Sequence, residues 1–305
     1  DDRQAGRGAT SAVIRNNCPQ SIQERQVWRS RDFFCRMCPG PCALSIGFPM
    51  SQPAISFLGV GLMGAPMVAR LLEAGFSLTL WNRTPAKAQV FSGRARLASS
   101  PAEAVAGADV VITMLESGQV VDQVLYQSGA IRQLRQGALV IDMSSIEPGL
   151  ARGHGAQVEA LGGGYLDAPV SGGTRGAQAG TLSIMAGGSD ETFVRAAAVF
   201  QPLGTVTHIG PVGSGQLAKL ANQAIVGITI GAVSEALLLA AKGGARPEKV
   251  REALLGGFAG SKILEQHGER MLQRDFAPGA PARIQLKDLR MILSLIHISE
   301  PTRPY

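Results

Sequence analysis

The segment Ile55-Ser56-Phe57-Leu58-Gly59-Val60-Gly61-Leu62-Met63-Gly64 decides the fold. Its apolar first half, Ile55 to Val60, predicts a buried strand, and a G-x-G-x-x-G pattern leads from the end of that strand into a helix. The three glycines suit a tight turn, a close approach of the backbone to a pyrophosphate, and close packing of helix on strand. A glycine-rich turn without a ligand is the alternative for the motif alone. Its position between strand and helix instead predicts that a dinucleotide binds to Gly59, Val60, Gly61, Leu62, Met63 and Gly64.

Apolar segments alternate with helical segments as far as Val212. Strands are predicted at 55–60, 77–81, 109–115, 138–143, 165–170, 181–186 and 206–209, and helices at 61–74, 86–91, 120–126 and 149–161. Such alternation is typical of βαβ units. We therefore predict an α/β domain over residues 50–212, a Rossmann-type doubly wound sheet that binds NAD(P).

From residue 213 onward the pattern is helical, which predicts a separate all-α domain over residues 213–292. Its first helix is predicted at 214–242 and is long and nearly uncharged, so other helices must bury it. We expect this helix to join the two domains and to lie in a subunit interface. The polar residues within it, Lys219, Asn222 and Glu235 among them, argue against a membrane span.

The two ends of the chain differ from its body. Residues 1–49 have no helical or strand period, so we expect Met50 to be the true start and residues 1–49 to be a leader translated from upstream sequence. A metal site at Cys35-x-x-Cys38-x-x-x-Cys42 and a transit peptide are the alternatives. Residues 293–305 look like the translation of a sequencing adapter, so we expect the helical domain to be truncated at residue 292.

Composition narrows the class of protein. Hydrophobic residues make up 45% and charged residues 17% of the chain, which argues against disorder. The net charge of +6 is not clustered beyond the leader, so no nucleic-acid partner is expected. The histidines are scattered, so they predict no metal site, and we interpret them as surface or capping residues. All cysteines lie within residues 1–49, which suits a reducing compartment, and we expect a cytoplasmic protein.

The turn after the second predicted strand bears on cofactor choice. An NAD site usually has a carboxylate there, which accepts a hydrogen bond from the ribose 2′-hydroxyl. This chain has Asn82-Arg83-Thr84 instead, and Arg83 could bind a 2′-phosphate. The turn therefore favours NADP(H) over NAD(H), with a solvated Arg83 as the alternative.

Two further segments predict the substrate site. Asp167-Ala168-Pro169-Val170-Ser171-Gly172-Gly173 follows a strand and offers N–H groups and a hydroxyl to a carboxylate, unless it is an ordinary glycine-rich turn. Lys219 and Asn222 share a face of the long helix, where a partly desolvated lysine could donate a proton to a carbonyl oxygen. On spacing alone, a lysine whose head reaches solvent is the alternative.

These segments together resemble the β-hydroxyacid dehydrogenase family. The glycine loop, Asp167 to Gly173, Gly213 to Asn222 and Lys287-Asp288-Leu289 match that family in order. The resemblance implies that Lys219 is the general acid in reduction and the base in oxidation. Asn222, on the same helix face, could hold the ammonium or the substrate oxygen in place. The resemblance also implies a substrate-anion loop at Ser171, Gly172 and Gly173, and cofactor contacts at Met114, Leu115, Ser144 and Lys287.

Finer motifs look most like one branch of the family. Residues 142–146, 180–185, 256–261 and 263–271 are similar to the enzymes that reduce tartronate semialdehyde to glycerate. Oxidation of 3-hydroxyisobutyrate, reduction of another semialdehyde or of glyoxylate, and an inactive nucleotide-binding module are the alternatives. The resemblance implies a small carboxylate-bearing substrate and a homodimer or homotetramer.

Overall fold

The computed structural model describes residues 52–277 and 281–299. The predicted leader at 1–49, with its cysteine motif, lies outside the described residues, as do residues 300–305 of the predicted adapter tail. Residues 293–299 continue the last described helix.

A sheet at the centre of the first domain carries the site. Its strands are β1 (Ile55–Leu58), β2 (Leu78–Trp81), β3 (Arg96–Leu97), β4 (Val110–Thr113), β5 (Leu139–Asp142), β6 (Gly164–Asp167), β7 (Val170–Ser171), β8 (Leu182–Gly187) and β9 (Gly204–Gly210). Their order is β3-β2-β1-β4-β5-β6-β8-β7, with β9 paired to β8. The first six strands are parallel, so their carboxyl ends share one edge of the sheet.

Helices cover the sheet and then form the second domain. They are α1 (Gly64–Glu73), α2 (Pro85–Gln89), α3 (Pro101–Val105), α4 (Gly118–Val121), α5 (Pro148–Ala160), α6 (Gly173–Ala179), α7 (Asp190–Phe200), α8 (Ser214–Lys242), α9 (Pro247–Leu255), α10 (Lys262–Gln273) and α11 (Ala282–Ser299). A π-helical segment, Asp122–Gln127, directly follows α4. The prediction of a Rossmann-type domain followed by an all-α domain is confirmed.

The central strands are buried on both faces. Phe57, Ile112 and Ile141 belong to one apolar cluster, whereas their chain neighbours on β1, β4 and β5 belong to a cluster on the opposite face. This follows from the alternation of side chains along a strand, and it explains why these segments are mainly apolar on both faces.

The predictions for the strand at 165–170 and for His154 were wrong. The strand predicted at 165–170 is two strands, because Pro169 has no N–H for the ladder, and β7 turns away to pair antiparallel with β8. His154, expected at the surface or at a cap, is 1% exposed and stacks on Tyr126. It lies on the stripe of α5 that faces the sheet, and helical spacing from Ala151 to Val158 places it there.

Helix α8 has the predicted bounds but not the predicted burial. Its buried residues are concentrated in the first turns, and Ile225, Ile228 and Leu239 are exposed although α10 and α11 pack against the helix. Length and hydropathy alone would let α8 cross a membrane, and it is the single such helix among the described residues. The helix therefore combines a buried polar start with an exposed apolar stripe further along.

Candidate functional site

The glycine-rich loop lies at the carboxyl end of β1. Gly59 has φ 109°, and a Cβ there would collide with the carbonyl oxygen of Met114, so only glycine fits. A Cβ on Gly61, in contrast, would meet no atom within 4 Å. The loop is thus tight against the sheet on one side and open on the other. This shape fits the pyrophosphate of a dinucleotide, which needs a bare backbone to approach.

The predicted adenosine end of the site is a turn at the carboxyl end of β2. The side-chain amide of Asn82 donates a hydrogen bond of 2.9 Å to the carbonyl oxygen of Thr84, which fixes the turn. Arg83 and Thr84 are exposed. The guanidinium is therefore accessible to a ligand at this edge, and residues 82–84 contain no carboxylate.

Met114, Leu115 and Ser144 meet beside the glycine loop. The N–H of Leu115 donates a hydrogen bond of 2.9 Å to the hydroxyl oxygen of Ser144, which is fully buried. Ser144 therefore joins the loop after β4 to the loop after β5. Its direct contact with a cofactor remains a prediction, as does that of Met114 and Leu115.

Lys219 is buried near the start of α8, with only 8% of its surface exposed. Its ammonium donates a hydrogen bond of 2.8 Å to the carbonyl oxygen of Val170. Burial lowers the pKa of Lys219 to about 8, with Asp288 opposing the shift and Lys287 adding to it. The alternative of a lysine that reaches solvent is therefore wrong.

The predicted anion loop, residues 171–173, lies against the same part of α8 as Lys219. The hydroxyl of Ser171 donates a hydrogen bond of 3.4 Å to Oδ1 of Asn222, one turn along α8 from Lys219. The side-chain amide of Asn222 also donates to Oε1 of Gln223 at 2.9 Å. Gly172 and Gly173, next to Ser171, are exposed and accessible to a ligand.

Helix α11 closes the site from the second domain. Lys287 donates hydrogen bonds to the carbonyl oxygens of Ser145, at 2.7 Å, and Glu116, at 3.3 Å, which lie in the loops after β5 and β4. The next residue, Asp288, is 1% exposed and accepts a hydrogen bond of 2.7 Å from Gln223. The predicted cofactor residue Lys287 thus lies at the same edge of the sheet as the glycine loop.

Sequence reasoning missed several residues that hold this site. Gln216 accepts a hydrogen bond of 3.0 Å from the N–H of Ile146 and donates one of 2.8 Å to the carbonyl oxygen of Ser144. Asp288 and Gln223 supply the contact between α8 and α11. Gln216 and Asp288 lie in the motifs that resemble the family, but neither the motifs nor the polar character of these residues names a partner.

Two family models match the chain. The NAD binding domain of 6-phosphogluconate dehydrogenase matches residues 54–210. The NAD-binding region of NADP-dependent 3-hydroxyisobutyrate dehydrogenase matches residues 213–301.

Individual relatives agree with these matches. The 2-hydroxy-3-oxopropionate reductase of Escherichia coli (strain K12) is 44% identical over 241 residues, which are 78% of this chain and 82% of that protein. A 3-hydroxyisobutyrate dehydrogenase of Pseudomonas aeruginosa is 35% identical over 260 residues, 82% of this chain and 87% of its own. Among solved structures, the 3-hydroxyisobutyrate dehydrogenase of Mycobacterium tuberculosis with L-serine has a TM-score of 0.75 and 34% identity, over 83% of this chain and 89% of that one.

Replacing Gly59 by Ala should weaken dinucleotide binding. The new methyl group would strike the Met114 carbonyl at a backbone angle that favours glycine, so the loop would have to move. We expect the affinity for NADPH and NADH, measured by fluorescence titration, to fall by about tenfold or more. Gly153→Ala is the control, since a Cβ there meets no atom within 4 Å and the residue lies in α5. Unchanged cofactor affinity in Gly59→Ala would contradict the assignment of the loop.

Proposed function

The chain belongs to the β-hydroxyacid dehydrogenase family of NAD(P)-dependent oxidoreductases, which act on CH–OH groups, and we propose that it reduces tartronate semialdehyde to glycerate. Tartronate semialdehyde is 2-hydroxy-3-oxopropionate, the compound in the name of the Escherichia coli relative. The observation that carries the mechanism is the buried ammonium of Lys219, hydrogen-bonded within the loop that ends in the anion-binding residues.

The substrate carboxylate would bind at Ser171, Gly172 and Gly173. That position directs the aldehyde group toward Lys219, since Val170 precedes the loop and holds the lysine. Asn222, which accepts a hydrogen bond from the Ser171 hydroxyl, would orient the aldehyde oxygen. Gly172 and Gly173 offer backbone N–H groups, which suit a carboxylate without adding a second positive charge beside the lysine.

The proton is the part of the reaction that this chain supplies. A bound nicotinamide supplies hydride to the aldehyde carbon. As the C=O bond becomes a single bond, the oxygen takes a proton from the Lys219 ammonium, which is left as an amine and regains its proton from solvent. Burial lowers the pKa of Lys219 to about 8, so the ammonium gives its proton more readily than a solvated lysine would.

We propose NADP(H) as the preferred cofactor. Arg83 is exposed in the turn after β2, the turn that usually binds the ribose 2′-position in this fold, and its exposure supports the proposal. A guanidinium binds a phosphate through two parallel hydrogen bonds, and no carboxylate within residues 82–84 repels it.

We propose that the protein acts in the cytoplasm. The chain has no cysteine from Met50 onward, which suits a reducing compartment. Helix α8 is apolar, but the buried side chains of Gln216 and Lys219 attach its first turns to the edge of the sheet. A helix so attached is a part of the protein core at that end.

We also propose that a second copy of the chain covers α8. Ile225, Ile228 and Leu239 are more than two-thirds exposed in one chain, at 67%, 73% and 74%, on a helix of 29 residues. An apolar surface of this length is typical of a protein–protein interface. A homodimer would bury it.

Lys219→Met should remove the proton donor while keeping an apolar side chain of similar length. We expect kcat for tartronate semialdehyde, followed by nicotinamide absorbance, to fall by about 100-fold or more. In the unmodified protein, reduction should slow as the pH rises through about 8, because the required ammonium loses its proton there. Lys242→Met, at the exposed end of the same helix, is the control. An undiminished rate would refute the role of Lys219, and a faster rate with methylmalonate semialdehyde would refute the substrate.

Arg83→Ala should change cofactor choice. Loss of a charged hydrogen-bonding partner for the 2′-phosphate should raise KM for NADPH by about tenfold, whereas KM for NADH should change little. Steady-state kinetics with both cofactors measures the ratio. Arg94→Ala serves as the control, since Arg94 is exposed just before β3, at the opposite edge of the sheet. An equal effect on both cofactors would contradict a specific contact with the phosphate.

Ile228→Lys should separate the subunits. A charge placed on the uncovered apolar face of α8 would be buried without a partner in a dimer. We expect sedimentation velocity to give a dimer or larger assembly for the unmodified protein and a monomer for Ile228→Lys. Val194→Lys, on the exposed face of α7 at 70% exposure, should leave the assembly intact. A monomeric unmodified protein would refute the interface.

A further inference from the structure

Asp167 connects strand β6 to the helix that carries Lys219. It ends β6, and its carboxylate accepts a hydrogen bond of 2.7 Å from the N–H of Gly213 at Oδ1 and one of 2.8 Å from the N–H of Gln216 at Oδ2. Gly213 is the N-cap residue of α8 and has no side chain to cap the helix. A carboxylate from another strand therefore takes the place of the usual capping side chain, at the end of the helix where negative charge is favoured.

The space around this carboxylate fits an aspartate closely. Asp167 is fully buried, and a Cβ on Gly187 would lie 2.6 Å from its Oδ1. A Cβ on Gly215 would lie 2.9 Å from its Oδ2 and would also strike the backbone of β6. The close approach of α8 to β6 thus requires a glycine at Gly215, whereas Gly213 is favoured by its φ of 92°. A longer acidic side chain would not fit.

The loop that follows β6, residues 167–171, contacts α8 at a second point. Two residues separate Asp167 from Val170, whose carbonyl oxygen accepts the hydrogen bond from the Lys219 ammonium. The loop between them leads directly to Ser171. Asp167 holds the first turn of the helix and Val170 holds the lysine one turn later. The position of the ammonium relative to the anion loop therefore depends on how the first turn is fixed.

We propose that Asp167 is a positioning residue for the reaction: its carboxylate fixes the first turn of α8 so that the ammonium of Lys219 faces the anion loop. The inference rests on the proposed role of Lys219 as proton donor. Gln216 supports the same turn through its contacts with Ser144 and Ile146. The charged groups that face these residues are Asp142 beside Asp167, and Asp288 and Lys287 on α11 around Lys219.

Asp167→Asn tests this role. The amide keeps the volume, but its NH₂ group would face a backbone N–H and one hydrogen bond of the cap would be lost. The first readout is acetylation of Lys219 by acetic anhydride as a function of pH, measured by mass spectrometry on the full chain with and without NADPH. Its midpoint should rise from near 8 by about one pH unit, because a displaced ammonium is better hydrated. The kcat should fall by about tenfold or more, with the Kd for NADPH unchanged.

The control is Asp190→Asn, which changes an exposed carboxylate in the first turn of α7. It should alter neither the labelling midpoint nor kcat. An unchanged midpoint in Asp167→Asn would overturn the proposal, and so would a parallel loss of kcat and NADPH affinity, which indicates a general structural role. If Asp167→Asn does not fold, Asp167→Ser, which keeps one acceptor, is judged by the same criteria. The labelling experiment reports on the position of Lys219 and needs no turnover. The role of Lys219 as proton donor is tested separately, since activity retained by Lys219→Met would refute it.

Discussion

The hydrogen bonds between the Asp167 carboxylate and the first turn of α8 are the interaction on which the site depends. They join strand β6 of one domain to the first helix of the other. Without them, N–H groups in the first turn of α8 would be buried with no hydrogen-bond partner, and the buried carboxylate of Asp167 would be unpaired. Both arrangements are costly. The glycines at 187 and 215 are required by the same contact, since any side chain there would push the two elements apart.

The parallel sheet brings the remaining site residues together. The loops after β1, β2, β4, β5 and β6 all leave the same edge, so residues far apart in the chain become neighbours. Ser144 bridges two of these loops, and Lys287 reaches two of them from α11. The site is therefore made by loops of one domain and side chains of two helices from the other.

The chemistry of Lys219 comes from its surroundings. Burial lowers the pKa of Lys219, the carboxylate of Asp288 opposes this and the ammonium of Lys287 reinforces it. Two of these influences come from α11, near the end of the chain. The pKa of Lys219 is thus tuned by an element that lies about 70 residues further along the sequence, a separation that only folding removes.

The sequence by itself determined the glycine loop, the apolar strands and the bounds of α8, because these depend on local spacing and residue type. Only the tertiary structure decided that Asp167 caps α8, that Pro169 divides one predicted strand into two, and that His154 is buried. It also decided that an apolar stripe of α8, with Ile225, Ile228 and Leu239, is exposed in one chain. The physical reason is that capping, burial and pKa depend on which distant elements pack together, and a periodic pattern names the face of an element without naming its partner.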